Sequence, residues 1–178
     1  MLKFKERDYL NIYDDYYFFY GSYLSNWADT EFIDTKTGFP YNCSEQYMMH
    51  KKALLFNDLE IAKRIMNADH PGEQKVLGRK VKNFNKEVWD EHARDIVYEG
   101  CYYKYTQNEI AYNYLMETRG SYLVEGSPTD TVWGVGLGCY DQDITNPKNW
   151  KGTNWLGQVL TSLREDLVEY QDEITLLF

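Results

Sequence analysis

The sequence predicts a mainly α fold of the α+β class, as a single compact multihelical domain with a small β element near the N-terminus. The chain has 178 residues, which is the size of one ordinary domain. Six stretches place apolar residues at helical spacing, whereas extended patterns are short. No repeat or linker divides the chain. We therefore expect a lead-in segment at residues 1–15, followed by one domain at residues 16–178.

The extended patterns lie mostly before the first helix. Residues 16–20 (YYFFY) read as a short buried strand that Gly21-Ser22 closes. Residues 31–41 alternate around Thr37-Gly38, which is typical of a hairpin. A further short strand is predicted at residues 122–124.

Capping residues and apolar stripes predict the first three helices. Ser44 is of the N-cap type and predicts the start of the first helix. Asn57 or Asp58 caps a second helix. Pro71 suits the first turn of a third helix that ends near Arg79.

The C-terminal half is predicted to hold three more helices. The longest pattern covers residues 87–105, and a helix at residues 107–117 follows and ends at Arg119-Gly120. Residues 127–154 are rich in Gly, Asp, Asn and Pro and predict a long loop, which in a compact domain is usually functional. The last helix begins near Asn154, and its core stripe is Leu156, Leu160, Leu163 and Leu167.

Composition excludes several classes of function. The net charge of −9 argues against extended duplex-DNA binding, because Lys and Arg must neutralise phosphates. The three Cys form no CxxC pair and the three His form no ligand pair, so we expect reduced thiols, a cytoplasmic location, no metal and no cofactor. Neither a signal peptide nor a membrane-spanning run is predicted.

Glu45 and Lys52 are the first candidate site residues. With Met48 and Met49 they fall at i, i+3, i+4 and i+7, which is one helix face. Charged residues at both ends of an apolar stripe favour a pocket wall, where a lysine becomes a nucleophile and a carboxylate moves protons. An exposed Lys and a Glu favoured in a first helical turn fit the same spacing.

Asp130 and Trp133 lie in a Gly-rich loop, where Gly134, Gly136 and Gly138 let the backbone approach a ligand. A turn Asp and a core Trp are the alternative interpretation. The segment from Lys151 to Asn154 enters a helix, so it suits either phosphate binding or ordinary capping. Arg79, near the end of the third helix, is a further candidate.

Four blocks of the sequence resemble the NADAR family, also called YbiA-like. They are residues 19–27 (FYGSYLSNW), residues 44–53 (SEQYMMHKKA), residues 77–81 (LGRKV) with the VWDEH and YEGCYYKY stretches, and residues 130–137 (DTVWGVGL) with residues 150–164. The resemblance spans roughly residues 17–168.

The resemblance implies an N-glycosidase. Members are associated with the removal of ADP-ribose from guanine in nucleic acid or nucleotides, or with splitting ribosylaminopyrimidine phosphates of the riboflavin pathway. It implies that Glu45, Lys52 and Asp130 are catalytic. By the same resemblance, Gly21, Asn26, Trp27 and Trp133 belong to the substrate pocket. The candidates from the loop and helix-end patterns, namely Arg79, Gly134, Lys151 and Asn154, complete the predicted substrate-binding residues.

The chemistry of such a reaction suits these residue types. Breaking the bond between C1 of a ribose and a base builds positive charge on the sugar, and a carboxylate near C1 either stabilises that charge or activates water. Attack by the Lys52 amine, with a Schiff base that water hydrolyses, is the alternative. A non-catalytic ADP-ribose or NAD-binding module is the competing function. The expected partner is a nucleotide-like small molecule or an ADP-ribosylated guanine base in nucleic acid, and no membrane.

Overall fold

A computed structural model describes residues 9–13 and 15–176, and the side chains of residues 15–170. Its regular elements confirm the mainly α, α+β fold class. The strands are β1 (Tyr9–Tyr13), β2 (Tyr16–Tyr20), β3 (Phe32–Ile33), β4 (Pro40–Tyr41) and β5 (Tyr122–Glu125). The helices are α1 (Ser44–Leu55), α2 (Leu59–Met66), α3 (Pro71–Gly78), α4 (Lys86–Gln107), α5 (Glu109–Met116) and α6 (Trp155–Leu176). No described helix is long and apolar enough to cross a membrane.

The chain packs as two compact units. The first unit consists of Met1–Ser25 and Asn113–Phe178, and the second of Asn26–Tyr112. The predicted division into a lead-in and one domain stays a prediction. Within that lead-in, residues 9–13 form β1, a strand that was not predicted because so short a pattern gives little signal. Residues 1–8 and 14 lie outside the described part.

The first unit is built on a three-stranded sheet of order β1-β2-β5. β1 and β2 are antiparallel, whereas β2 and β5 are parallel, with Phe18 opposite Val124. α6 packs against β5, and Leu156, Leu160 and Leu163 of its predicted stripe are buried, whereas Leu167 is half-buried. A buried apolar cluster lies under this sheet and consists of Phe18, Val124, Val135, Leu137, Cys139 and Ile144.

In the second unit, α1 contacts α2, α3 and α4. A Cβ at Gly78 of α3 would overlap Met49 Sδ of α1, so a glycine is needed for this close approach. The predicted hairpin is confirmed: β3 pairs antiparallel with β4, and the turn between them places Gly38 at a φ of +76°. Four buried rings form its aromatic core, namely Phe32, Tyr41, Tyr47 and Tyr103.

Most predicted helix starts agree with the structure. The Asp58 side chain accepts a hydrogen bond from Ile61 N at 3.2 Å, and Pro71 is the first residue of α3. The predicted N-cap Ser44 is wrong by one position, because Ser44 is the first helical residue and Cys43 is the N-cap, without a side-chain capping bond. Residues 127–154 hold two short 3₁₀ turns, at Gln142–Thr145 and Pro147–Asn149.

None of the three cysteines forms a disulfide, and all three are buried. Burial raises the pKa of the Cys43 and Cys101 thiols to about 11 and that of Cys139 to about 12. Cys43 and Cys101 belong to the second unit, and Cys139 belongs to the first.

Candidate active site

Glu45 and Lys52 share one face of α1, as their spacing predicts. Met48 and Met49 between them are 2% and 7% exposed, so this stripe faces the core. Glu45 is 2% exposed, and Lys52 is half-buried. Neither side chain therefore lies on open surface, which disfavours the alternative of two solvated charges.

Lys52 extends its amine over two aromatic rings. Its Nζ lies 4.3 Å from the ring centroid of Phe84 and 5.4 Å from that of Trp89. Burial lowers the pKa of Lys52; Glu45 opposes this shift, and the charge of Arg79 adds to it. A larger share of Lys52 is thus the neutral, nucleophilic amine than in water. The exposed Arg79 is the predicted site residue whose charge acts on Lys52.

Asn26 supports the start of α1. Its backbone carbonyl accepts a hydrogen bond from Glu45 N at 2.8 Å, which satisfies a free amide of the first turn. Its side-chain Oδ1 accepts from the Cys101 thiol at 3.8 Å. Since Cys43 provides no side-chain cap, Asn26 holds the backbone that carries Glu45.

Trp27 presents its indole to the surface of the second unit. It is 44% exposed, and it lies nearly perpendicular to the His70 ring, with centroids 6.3 Å apart. Lys75 Nζ lies 5.8 Å from the Trp27 ring centroid. An exposed indole beside an ammonium group is suited to contact a flat ligand that carries phosphate.

Two groups of this unit, Phe84 and Lys104, were not predicted from the sequence. Phe84 stands in a loop without periodicity, so nothing marked it as a platform for Lys52. Lys104 is fully buried, and burial lowers its pKa to about 8, against the opposing effect of the Cys101 and Cys43 thiols. Its position three residues after the buried Cys101, on the core face of α4, is the signal that would have indicated it.

Asp130 of the first unit shapes its own loop. Its Oδ1 accepts hydrogen bonds from Val132 N at 3.0 Å and from Trp133 N at 2.8 Å. The Trp133 ring is half-buried and lies perpendicular to Trp155, with centroids 5.7 Å apart. The turn interpretation thus accounts for one carboxylate oxygen of Asp130.

Carbonyl groups of the loop accept hydrogen bonds from the first N–H groups of α6. The N–H groups of Trp155 and Leu156 donate to Val132 O and Trp133 O, both at 3.1 Å. Asn154 is 1% exposed; its Oδ1 accepts from Glu125 N and its Nδ2 donates to Leu123 O, each at 3.0 Å. These bonds favour the structural interpretation of Asn154 over phosphate binding at this helix start.

The other predicted site residues of the first unit are Gly21, Gly134 and Lys151. Gly21 has a φ of +85°, and a Cβ at the buried Gly134 would lie 2.9 Å from Glu125 O. Lys151 is exposed, and its N–H donates to Val135 O at 2.8 Å. Their binding roles stay predictions.

The predicted site residues are thus shared between the units. Asn26, Trp27, Glu45, Lys52 and Arg79 belong to the second unit, and the remainder to the first. Among the described residues, no group of three or more His, Cys, Asp or Glu is placed to hold a metal ion.

Two similar proteins are identical to this chain at more than 40% of the aligned positions. "Protein irg-1" of Caenorhabditis elegans is 42% identical over 134 residues, which are 74% of this chain and 63% of that protein. "N-glycosidase R617" of Acanthamoeba polyphaga mimivirus is 41% identical over 165 residues, which are 86% and 96% of the two chains. "Riboflavin biosynthesis protein PYRR, chloroplastic" of Zea mays is 31% identical over 61% of this chain, which spans only 16% of that protein.

A solved structure and a family model agree with the fold and with the four sequence blocks. The NMR structure of the E. coli protein YbiA superposes with a TM-score of 0.74 at 24% identity, over 91% of this chain and 90% of that one. The model of the NADAR domain matches residues 17–168, which is most of the chain. The chain therefore belongs to the NADAR family.

Proposed function

We propose that this protein is an N-glycosidase that hydrolyses the bond between ribose and base in an ADP-ribosylated or phosphoribosylated base. Family membership supports the enzyme class, as does the mimivirus relative, which is named an N-glycosidase and matches 86% of the chain. The observation that carries the proposal is the buried Glu45 carboxylate on the same helix face as the half-buried Lys52 amine.

Lys52 acts as the nucleophile in the covalent route. Its neutral Nζ forms a bond to C1 of the ribose as the C1–N bond breaks, and the base leaves with a proton. The ring oxygen then accepts a proton, the ring opens, and a Schiff base remains between Lys52 and C1. Water adds to C1 and releases the free sugar and the amine. Glu45 moves the protons of these steps.

Glu45 acts without a covalent step in the second route. Its carboxylate lies in a water-poor environment, where it stabilises positive charge on the sugar more strongly than in solution. It takes a proton from the attacking water, and the base leaves protonated. In this route Lys52 and Arg79 provide only positive charge for the phosphates.

ADP-ribose is the proposed glycone for two reasons. The resemblance implies it, and the charges of Lys52 and Arg79 are close enough to interact, so two cationic side chains are available to phosphates near Glu45. A ribosylaminopyrimidine phosphate of the riboflavin pathway is the second candidate, which the name of the maize relative supports.

Mass spectrometry of released bases tests the proposal. The protein is incubated separately with ADP-ribosylated guanosine, NAD and a ribosylaminopyrimidine phosphate, beside Glu45→Gln as the inactive control. Release of free guanine supports the ADP-ribosyl substrate, and release of the pyrimidine supports the alternative. If wild type and Glu45→Gln release no base but bind ADP-ribose equally, the protein is a reader and not an enzyme.

A further inference from the structure

The first unit contains a cavity of about 420 Å³ that the predicted site residues do not line. Its lining consists of Asp15, Tyr16, Tyr122 and Trp150. Cavities of roughly 300–1,000 Å³ hold small organic ligands. Nothing in the N-glycosidase chemistry uses these four side chains.

The Tyr16 ring stands nearly at right angles to the rings of Tyr122 and Trp150. Tyr16 and Tyr122 have centroids 6.1 Å apart and an angle of 87° between their planes. Tyr16 and Trp150 have centroids 5.9 Å apart and an angle of 79°. Perpendicular rings around one space are the arrangement of an aromatic cage, in which several ring faces contact one cation.

The rings are held rigidly before any ligand arrives. All three pack against the buried cluster beneath the sheet, and Tyr16 stacks on Phe18 with centroids 5.8 Å apart. Trp150 Nε1 donates to Ile144 O at 2.8 Å, and Tyr122 N donates to Asp15 O at 2.6 Å. A preformed cavity loses little conformational entropy on binding.

The charge of the lining selects a cation. Asp15 is exposed, and the described lining contains a carboxylate but no Lys or Arg. Ring faces carry negative electrostatic potential, so together they repel phosphate. An unmethylated ammonium is strongly hydrated, whereas methyl groups lower the cost of removing water and contact the rings.

We propose that this cavity binds a methylated ammonium group. Its source is either a small metabolite of the choline type or a trimethylated lysine side chain of a peptide. The proposal does not depend on the N-glycosidase activity, because no residue of that chemistry lines the cavity.

Calorimetric titration of the wild-type protein provides the first test. Choline and tetramethylammonium are compared with 3,3-dimethylbutan-1-ol, which has the shape of choline without its charge. We expect the dissociation constant of the neutral alcohol to be at least about five times that of choline, in keeping with the strength of a cation–π contact. Equal binding of the alcohol, or no binding of either ammonium at millimolar concentration, overturns the proposal. A trimethyllysine peptide that binds more tightly than choline identifies a peptide source, and the reverse order identifies a metabolite.

Matched variants provide the second test. Tyr16→Phe keeps the ring face and should retain choline affinity within about twofold, whereas Tyr16→Leu should lose roughly tenfold. Asp15→Asn should weaken binding severalfold, and Glu169→Gln, an exposed carboxylate on α6, should not. Unchanged affinity in both Tyr16→Leu and Asp15→Asn contradicts the cage. If Tyr16→Leu fails to fold, Asp15→Asn and the comparison of choline with 3,3-dimethylbutan-1-ol still test the proposal.

Discussion

At the scale of single residues, Lys52 is the side chain whose environment most directly affects chemistry. We predict that sodium borohydride traps a sugar adduct on Lys52 during turnover, because burial lowers the pKa of its amine and so favours the nucleophilic form. Lys52→Ala should abolish the adduct and lower kcat by at least about a hundredfold. Tryptic mass spectrometry measures the adduct.

Two further variants serve as the control and as the test between the two routes. Lys63→Ala removes an exposed lysine of α2 and should leave adduct and turnover unchanged. Lys52→Arg keeps the positive charge but forms no productive imine. Near-normal turnover in Lys52→Arg would exclude the covalent route and favour activation of water by Glu45.

His50 gives the protein a specific dependence of stability on pH. It is 5% exposed, its Nδ1 lies 2.8 Å from Tyr41 Oη, and burial lowers its pKa from 6.5 to about 4, with Lys51 acting in the same direction and Asp34 opposing. Below pH 6.5 the unfolded chain therefore binds a proton that the folded protein does not. We predict that the free energy of unfolding decreases by roughly 3 kcal/mol between pH 6.5 and 4 from this group.

Urea denaturation across this pH range measures the effect. His50→Gln should show a flatter profile, and His92→Gln, at an exposed position, should follow the wild type. Identical slopes for wild type and His50→Gln between pH 6.5 and 5 would contradict the prediction. Against the effect of burial, hydrogen bonds from Lys51 and from Lys36 N lower the pKa of the Asp34 carboxyl from 3.8 to about 2, so its contribution to stability is lost mainly below the pH range of His50.

Helix periodicity predicted the shared face of Glu45 and Lys52 correctly, whereas their catalytic roles stay predictions. Glu45 and Lys52 fall on one buried face because 3.6-residue periodicity fixes their direction once α1 forms. Periodicity carries no information about Phe84, which reaches Lys52 from a loop. Lys104 was missed for a different reason: hydropathy patterns treat lysine as exposed, although this one is fully buried.

At the scale of elements, a substitution in the loop at residues 130–133 tests whether Asp130 has a chemical role besides its structural one. Asp130→Asn keeps an Oδ1 acceptor for Val132 N and Trp133 N but removes the charge. We predict a loss of activity of at least about tenfold with unchanged thermal stability. Asp130→Ala should in addition lower the free energy of unfolding by about 1–2 kcal/mol. Full activity in Asp130→Asn would restrict Asp130 to shaping the loop.

Asn154 joins α6 to the edge of β5. Its amide bonds to both Glu125 N and Leu123 O, and its φ is +53°, a conformation that Asn tolerates better than most residues. We predict that Asn154→Ala lowers the free energy of unfolding by roughly 2–4 kcal/mol, since two buried backbone groups lose their partners. Chemical denaturation measures it, with Asn113→Ala on the exposed side of α5 as control. A change below about 0.5 kcal/mol would show that the two hydrogen bonds are dispensable.

The helices were more predictable than the loops and sheet partners. α2 and α3 begin where Asp58 and Pro71 indicated, because capping is local chemistry. The parallel pairing of β2 with β5 joins residues more than a hundred positions apart, and no local pattern specifies such a partner. The bonds that close the start of α6 also come from a distant loop, so the sequence alone left phosphate binding and capping both open.

At the scale of the whole molecule, the net charge of −9 disfavours extended contact with the phosphates of nucleic acid. We predict that kcat/KM for an ADP-ribosylated oligonucleotide depends only weakly on salt, with a logarithmic slope smaller in magnitude than about 2, because few phosphates are contacted. Turnover measured from low to physiological salt tests this. A slope near that of a protein contacting six or more phosphates would indicate extended backbone binding instead.

The three buried thiols can report local opening of the structure around them. A thiol with a raised pKa and no access to solvent does not react with an alkylating reagent until the surrounding structure opens. Cys139 lies in one unit, and Cys43 and Cys101 lie in the other. The relative alkylation rates of these native cysteines therefore measure, without any introduced label, how often each unit opens locally and whether the two units open together.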